Sequence, residues 1–124
     1  MPHPKIYVID DDQAMLDSTA FLLRASGFEC DCFSDPSAFL EAIGSLVPGY
    51  VLTDLRMPAM NGYDLQQSLS KIAPAWPIIL MTSENGRLNA RAAVERGFMG
   101  FLRKPFSADS LLAAIAACSP GDIH

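Results

Sequence analysis

The sequence predicts a doubly wound α/β domain built on one parallel sheet. Two observations lead to that class. Short apolar runs alternate with helix-patterned stretches five times along the 124 residues. One of those runs, Ile78-Ile79-Leu80-Met81, is apolar without a break, as in a strand covered on both faces. Strict alternation implies right-handed crossovers with helices on both sides of the sheet. No internal repeat, low-complexity tract or linker interrupts the pattern, so residues 1–124 read as one domain.

Each element has its own signature. Residues 5–10 form a short β-rich run. Residues 13–26 have helical spacing, with Leu16, Ala20 and Leu23 on one face and Gly27 at the C-cap position. In residues 28–33, Phe28, Cys30 and Cys32 point one way and Glu29 and Asp31 the other, the mark of a half-exposed edge strand. Asp35-Pro36 opens a second helix carrying Phe39, Leu40 and Ile43. Residues 50–54 are the third strand, Asn61-Gly62 marks a turn, and Leu65, Leu69 and Ile72 give the third helix its apolar face. After the fourth strand, residues 77–82, a helix spans 87–96 and ends at Gly97. The last strand is 99–103, Ser107 caps the final helix, and Pro120-Gly121 stops it.

Composition narrows the function. A net charge of −5 argues against direct nucleic-acid binding. Charge is unevenly placed: residues 1–64 hold 10 of the 14 acids, while Arg87, Arg91, Arg96, Arg103 and Lys104 cluster late in the chain. No apolar run approaches the ~18–20 residues of a membrane span, and residues 1–5 lack the form of a signal peptide. The expectation is a soluble cytoplasmic protein. Three cysteines, Cys30, Cys32 and Cys118, fit reduced thiols. Without a second pair or a nearby histidine, Cys30 and Cys32 read as small strand residues rather than a metal pair.

In such a sheet, ligands sit beyond the C-terminal strand ends, at the switch in strand order. Strand one ends in Asp10-Asp11-Asp12, strand three in Asp54 and strand four in Thr82, and Lys104-Pro105 follows strand five. Converging carboxylates repel one another, and a hard divalent cation relieves that repulsion. Few carboxylates among oxygen donors suit Mg²⁺. The ion also reverses the pocket's aversion to phosphate. Thr82 can donate a hydroxyl to a phosphoryl oxygen and Lys104 can supply a compact positive charge. Asp54 is then a nucleophile able to form an acyl phosphate, through positioning and charge stabilisation. Singly, each residue has an ordinary reading: turn former or helix cap for an Asp, the role expected of Asp12, helix cap for Thr82, solvated charge for Lys104. Agreement of five positions with one topology carries the functional one.

Together, Val8-Ile9-Asp10-Asp11-Asp12, Thr53-Asp54-Leu55-Arg56-Met57-Pro58, Asn61-Gly62, Met81-Thr82-Ser83 and Phe101-Leu102-Arg103-Lys104-Pro105-Phe106 resemble the receiver domains of two-component response regulators, the CheY-like family. The wording around Asp54 and Lys104 is most similar to the FixJ-type transcriptional regulators. The resemblance covers the whole chain. It implies a flavodoxin-like (βα)₅ fold with strands in the order 2-1-3-4-5. It implies that Asp54 is the phosphoacceptor, served by a sensor histidine kinase. Asp11 and Asp54 would ligate Mg²⁺ with the backbone carbonyl of Arg56, and Asp10 would lie close by, largely through water. Thr82 and Lys104 would bind the phosphoryl group, Phe101 would be the aromatic switch residue, the Lys104-Pro105 bond would be cis, and the small Ser83 would leave room for movement. Arg56 and Glu84 flank the site either as a bridging pair or as two solvated charges. Phe101 also fits a plain core role.

The resemblance implies a signalling domain rather than an enzyme. The switched surface would be the fourth helix, fifth strand and fifth helix, with the late basic cluster and Ala90, Ala93, Ala113 and Ala117, either as a homodimer face or as a partner surface. Residues 119–124 are either a tail or the start of a linker to a C-terminal DNA-binding domain. A stand-alone regulator acting through protein contacts is the alternative. A flavin mononucleotide binder of the same fold would need Ser, Thr and Gly after strand one, where this chain has three Asp. An aspartyl-phosphate hydrolase would need a second acid at the position of Arg56.

Overall fold

The computed structural model describes residues 3–83 and 90–118. The chain runs β1 (Lys5–Ile9), α1 (Gln13–Ala25), β2 (Cys30–Phe33), α2 (Pro36–Ala42), a 3₁₀ turn at Ile43–Ser45, β3 (Gly49–Asp54), α3 (Gly62–Ile72), β4 (Ile78–Thr82), α4 (Ala90–Glu95), β5 (Gly100–Arg103) and α5 (Ala108–Ala117). All four strand pairings are parallel, in the order β2-β1-β3-β4-β5. This is the flavodoxin-like fold.

Period-two alternation divides the core. Ile6, Val8, Tyr50, Leu52, Ile79, Met81 and Leu102 face α1 and α5, packing on Leu16, Leu23, Leu111 and Ile115. Tyr7, Ile9, Val51, Ile78 and Leu80 face the other way, onto Phe39, Leu65, Leu69 and Ala93. The central strands β1, β3 and β4 are buried on both faces, which is why they read as continuous apolar runs. Strand β2 is a short edge. Cys30 and Cys32 both turn their Sγ atoms toward α1, near the carbonyls of Ala20 and Leu16 at 4.0 Å each. Both are free thiols, and burial raises the pKa of each.

Helix ends follow the expected chemistry. The Asp12 carboxylate accepts from the Ala14 and Met15 N–H groups. Asp35 accepts from Ser37, with Pro36 in the first turn of α2. Asn61 and Asp64 form a reciprocal capping box on α3. Ser107 caps α5 through the Ser110 N–H. Gly27, after α1, has φ +93° in the left-handed region that favours glycine.

Several details differ from the sequence reading: Ile72, expected on the apolar face of α3, is 57% exposed, and β2 begins at Cys30 rather than Phe28. Ala93 is fully buried against the sheet, so it belongs to the core and not to a partner surface. Of the expected 87–96 helix, α4 ends at Glu95, Arg96 lies in the turn that follows, and residues 87–89 fall outside the described residues. Glu84, Arg87 and Pro120-Gly121 lie outside them.

Candidate functional site

The strand ends deliver their side chains to one rim. The sheet ladder continues past the strands and holds the residues that follow. Asp10 N–H donates to Phe33 O at 3.1 Å, Leu55 N–H to Met81 O at 3.1 Å, and Lys104 N–H to Thr82 O at 2.8 Å. Asp10, Asp54 and Lys104 continue the alternation set by Val8, Leu52 and Leu102. The three therefore converge, although 94 residues separate the first from the last.

Lys104 is the hub. Its Nζ lies 2.8 Å from Asp10 Oδ2 and 3.0 Å from Asp54 Oδ1. Asp10 is almost fully buried, at 1% side-chain exposure, while Asp54 keeps 13% at the rim. The second oxygen of Asp10 accepts from the Asp12 N–H at 3.0 Å. Both Asp10 oxygens are thus engaged, which is how a carboxylate survives burial. Asp11 is exposed beside them. Burial pushes the Asp54 carboxyl above its ordinary value. The hydrogen bond from Lys104 pulls it back and the negative charge of Asp10 adds to the rise. Burial alone lowers the Lys104 ammonium, but its contacts with Asp10 and Asp54 outweigh that and hold it above the usual lysine value.

Asp10, Asp11 and Asp54 each offer a carboxylate oxygen, all within 4.8 Å of one another. Three hard oxygen donors that close, at an open rim, fit a small divalent cation such as Mg²⁺. Arg56 follows the end of β3 and is exposed. Thr82 ends β4 and is 1% exposed. The Lys104-Pro105 bond is cis. Phe101 is partly buried against the α2–α3–α4 cluster.

Two features were not anticipated from sequence. One is the direct Asp10–Lys104 pair. The other is Gly62: a Cβ there would lie 2.7 Å from Asp54 O and 3.2 Å from Leu55 Cα. Gly62 N–H donates to Leu55 O at 2.9 Å, so the start of α3 closes directly onto the chain after Asp54. The Asn61-Gly62 pair was a visible signal, but only of a turn.

The chain is similar to known proteins in sequence and in fold. The chain is 43% identical over 110 residues to the transcriptional regulatory protein FixJ of Bradyrhizobium diazoefficiens, covering 89% of this chain and 54% of that one. It is 38% identical over 110 residues to the response regulator protein TmoT of Ectopseudomonas mendocina, covering 89% and 50%. The chain thus spans about half the length of these curated relatives. Full-length FixJ from B. japonicum superimposes with a TM-score of 0.87 at 38% identity, covering 99% of this chain and 63% of that one. A receiver domain protein from Clostridium thermocellum superimposes at 0.82 with 33% identity, covering 97% and 98%. Residues 6–116 match the family described as response regulator receiver domain, and the chain belongs to that family of two-component signalling domains.

Proposed function

We propose that Asp54 accepts a phosphoryl group from a sensor histidine kinase and that the mark switches a surface of this domain. The observation that carries the reading is the Lys104 bridge: one ammonium held between Asp10 and Asp54 at the mouth of an acidic pocket. Asp54 combines partial exposure with anchorage at the end of a buried strand, so it is reachable and fixed. In transfer, the Asp54 oxygen forms a bond to phosphorus as the bond to the kinase imidazole nitrogen breaks. Lys104 and the Thr82 hydroxyl bind the phosphoryl oxygens. Asp11, Asp54 and the Arg56 carbonyl would hold Mg²⁺, with Asp10 beside them. When bound, the ion supplies positive charge that offsets the carboxylates and the incoming phosphoryl group.

Phosphorylation acts by differential contacts with two conformations of the domain. Movement of Thr82 toward the phosphoryl group turns Phe101 inward and alters the face formed by α4, β5 and α5. That face serves a homodimer. A transcription output is supported by relatives such as the transcriptional regulatory protein FixJ, of whose length this chain covers 54%. The second reading, a regulator acting through protein contacts alone, shares all of the Asp54 chemistry.

The test is acetyl-phosphate labelling of the chain with Mg²⁺, read by intact mass. Labelling is expected for the wild type and lost in Asp54→Asn, and Mg²⁺ affinity is expected to fall in Asp11→Ala. Retained labelling of Asp54→Asn would remove Asp54 as acceptor.

A further inference from the structure

We infer that Arg103 is a positioning residue that latches Phe101 in the resting conformation. The inference rests on the phosphoacceptor reading above and deepens it by giving a role to a residue of β5. Its guanidinium carbon lies over the Phe101 ring, 5.3 Å from the centroid. The two residues are two positions apart on β5, so both side chains leave the same face of the strand. Among the described residues no strand lies outside β5, so β5 is an edge of the sheet. Both side chains are partly buried, so the contact is only partly screened by water.

Register places this contact next to the phosphoryl site. Arg103 is paired with Thr82 and Phe101 with Leu80. The following residue, Lys104, is bound through its backbone to Thr82 O at 2.8 Å and through its ammonium to Asp10 and Asp54. Arg103 therefore joins the residue that reads the pocket to the ring that moves. On this reading, turning Phe101 inward takes the ring away from the guanidinium. The contact is present in one conformation and absent in the other, which is the only kind of contact that biases such an equilibrium. A partly exposed cation–π pair changes that equilibrium about two- to five-fold.

The test is a double-mutant cycle on the whole chain, read as affinity for beryllofluoride with Mg²⁺ by calorimetry. Arg103→Gln also removes a positive charge near an incoming anion, which weakens binding whatever Phe101 does. The ratio of its effects in the wild-type and Phe101→Leu backgrounds cancels that contribution. Affinity is expected to respond to Arg103→Gln about two- to five-fold more favourably in the wild type than in Phe101→Leu. Equal responses in the two backgrounds overturn the latch. A second measurement does not depend on the Phe101→Leu variant binding the mimic. In wild-type NMR spectra the Arg103 side-chain protons are expected upfield, shifted by the Phe101 ring current, and beryllofluoride is expected to relieve the shift. Arg103 protons at ordinary positions in the resting protein also overturn the latch. A wild type that takes up no beryllofluoride sinks the phosphoacceptor reading, and the latch falls with it. That outcome is visible before any Arg103 variant is compared.

Discussion

Replacing Lys104 with methionine tests the charge balance of the pocket. The ammonium is 2.8 Å from Asp10 and 3.0 Å from Asp54, and the two carboxylates keep only 1% and 13% of their side-chain surface. Methionine retains a stem of similar bulk but offers no donor. Removing one partner of a buried ion pair typically costs about 3–5 kcal/mol, because the other charge is left without compensation. Here Asp54 stands at the rim and Asp10 keeps its bond from the Asp12 N–H. The expected loss is therefore smaller, about 2–3 kcal/mol. In a domain of this length that lowers the midpoint of thermal unfolding by roughly 6–15 °C. The assay is urea unfolding at pH 7 in chelator, with the slope m unchanged. Repeating it with Mg²⁺ at a hundred times its dissociation constant adds about 2.7 kcal/mol by linkage. At one fixed Mg²⁺ concentration the gain is expected to be larger in Lys104→Met, where no ammonium competes for the carboxylates. A loss under about 1 kcal/mol, the worth of a surface pair, refutes the reasoning. So does a Mg²⁺ gain no larger than that of the wild type.

Asp12→Ala removes the α1 cap and is expected to cost about 1 kcal/mol in urea unfolding. It leaves Mg²⁺ affinity unchanged; a drop matching that of Asp11→Ala would make Asp12 part of the metal site. Gly62→Ala pushes a methyl group to 2.7 Å from Asp54 O, with an expected loss of about 1–3 kcal/mol by thermal denaturation. A neutral result would mean that α3 shifts freely. Tyr7 donates from its hydroxyl to Val47 O at 2.6 Å, and Tyr7→Phe is expected to cost about 1 kcal/mol at pH 7. Burial raises the Tyr7 pKa above 10.0, so the folded chain keeps a proton that the unfolded chain releases. Stability from that group is complete below the ordinary tyrosine value and is lost as pH rises through the higher folded one. Tyr7→Phe should show a shallower alkaline decline, and an identical decline would discharge Tyr7.

Most of the fold was legible because its strands and helices obey different periods. The central strands were easy to find because burial on both faces favours apolar runs such as Ile78-Ile79-Leu80-Met81. Boundaries slipped by a residue where the ladder runs on beyond regular strand geometry, as at Asp10. Ala93 was misplaced because a small residue on an amphipathic helix reads the same on either face. The site was legible as a set of strand ends, since parallel topology brings those ends together whatever the intervening sequence. Which carboxylate takes the lysine was not legible. Asp10 and Asp11 are neighbours, and only the turn after β1 decides that one is buried and the other exposed. The Arg103–Phe101 contact was open to a period-two count, but spacing alone does not say that a long side chain folds back over a ring.

The alternating strands have a further consequence. They build a wall with a separate interior on each side, one lined by α1 and α5 and the other by α2, α3 and α4. Phe101 belongs to the second compartment. Softening that compartment so that a ring can move need not loosen the first, whose side chains point away from it. Substitutions in opposite compartments should therefore combine additively when they are far apart. Responsiveness and durability can then be tuned in different rooms of the same small domain, and a gain in one need not be taken from the other.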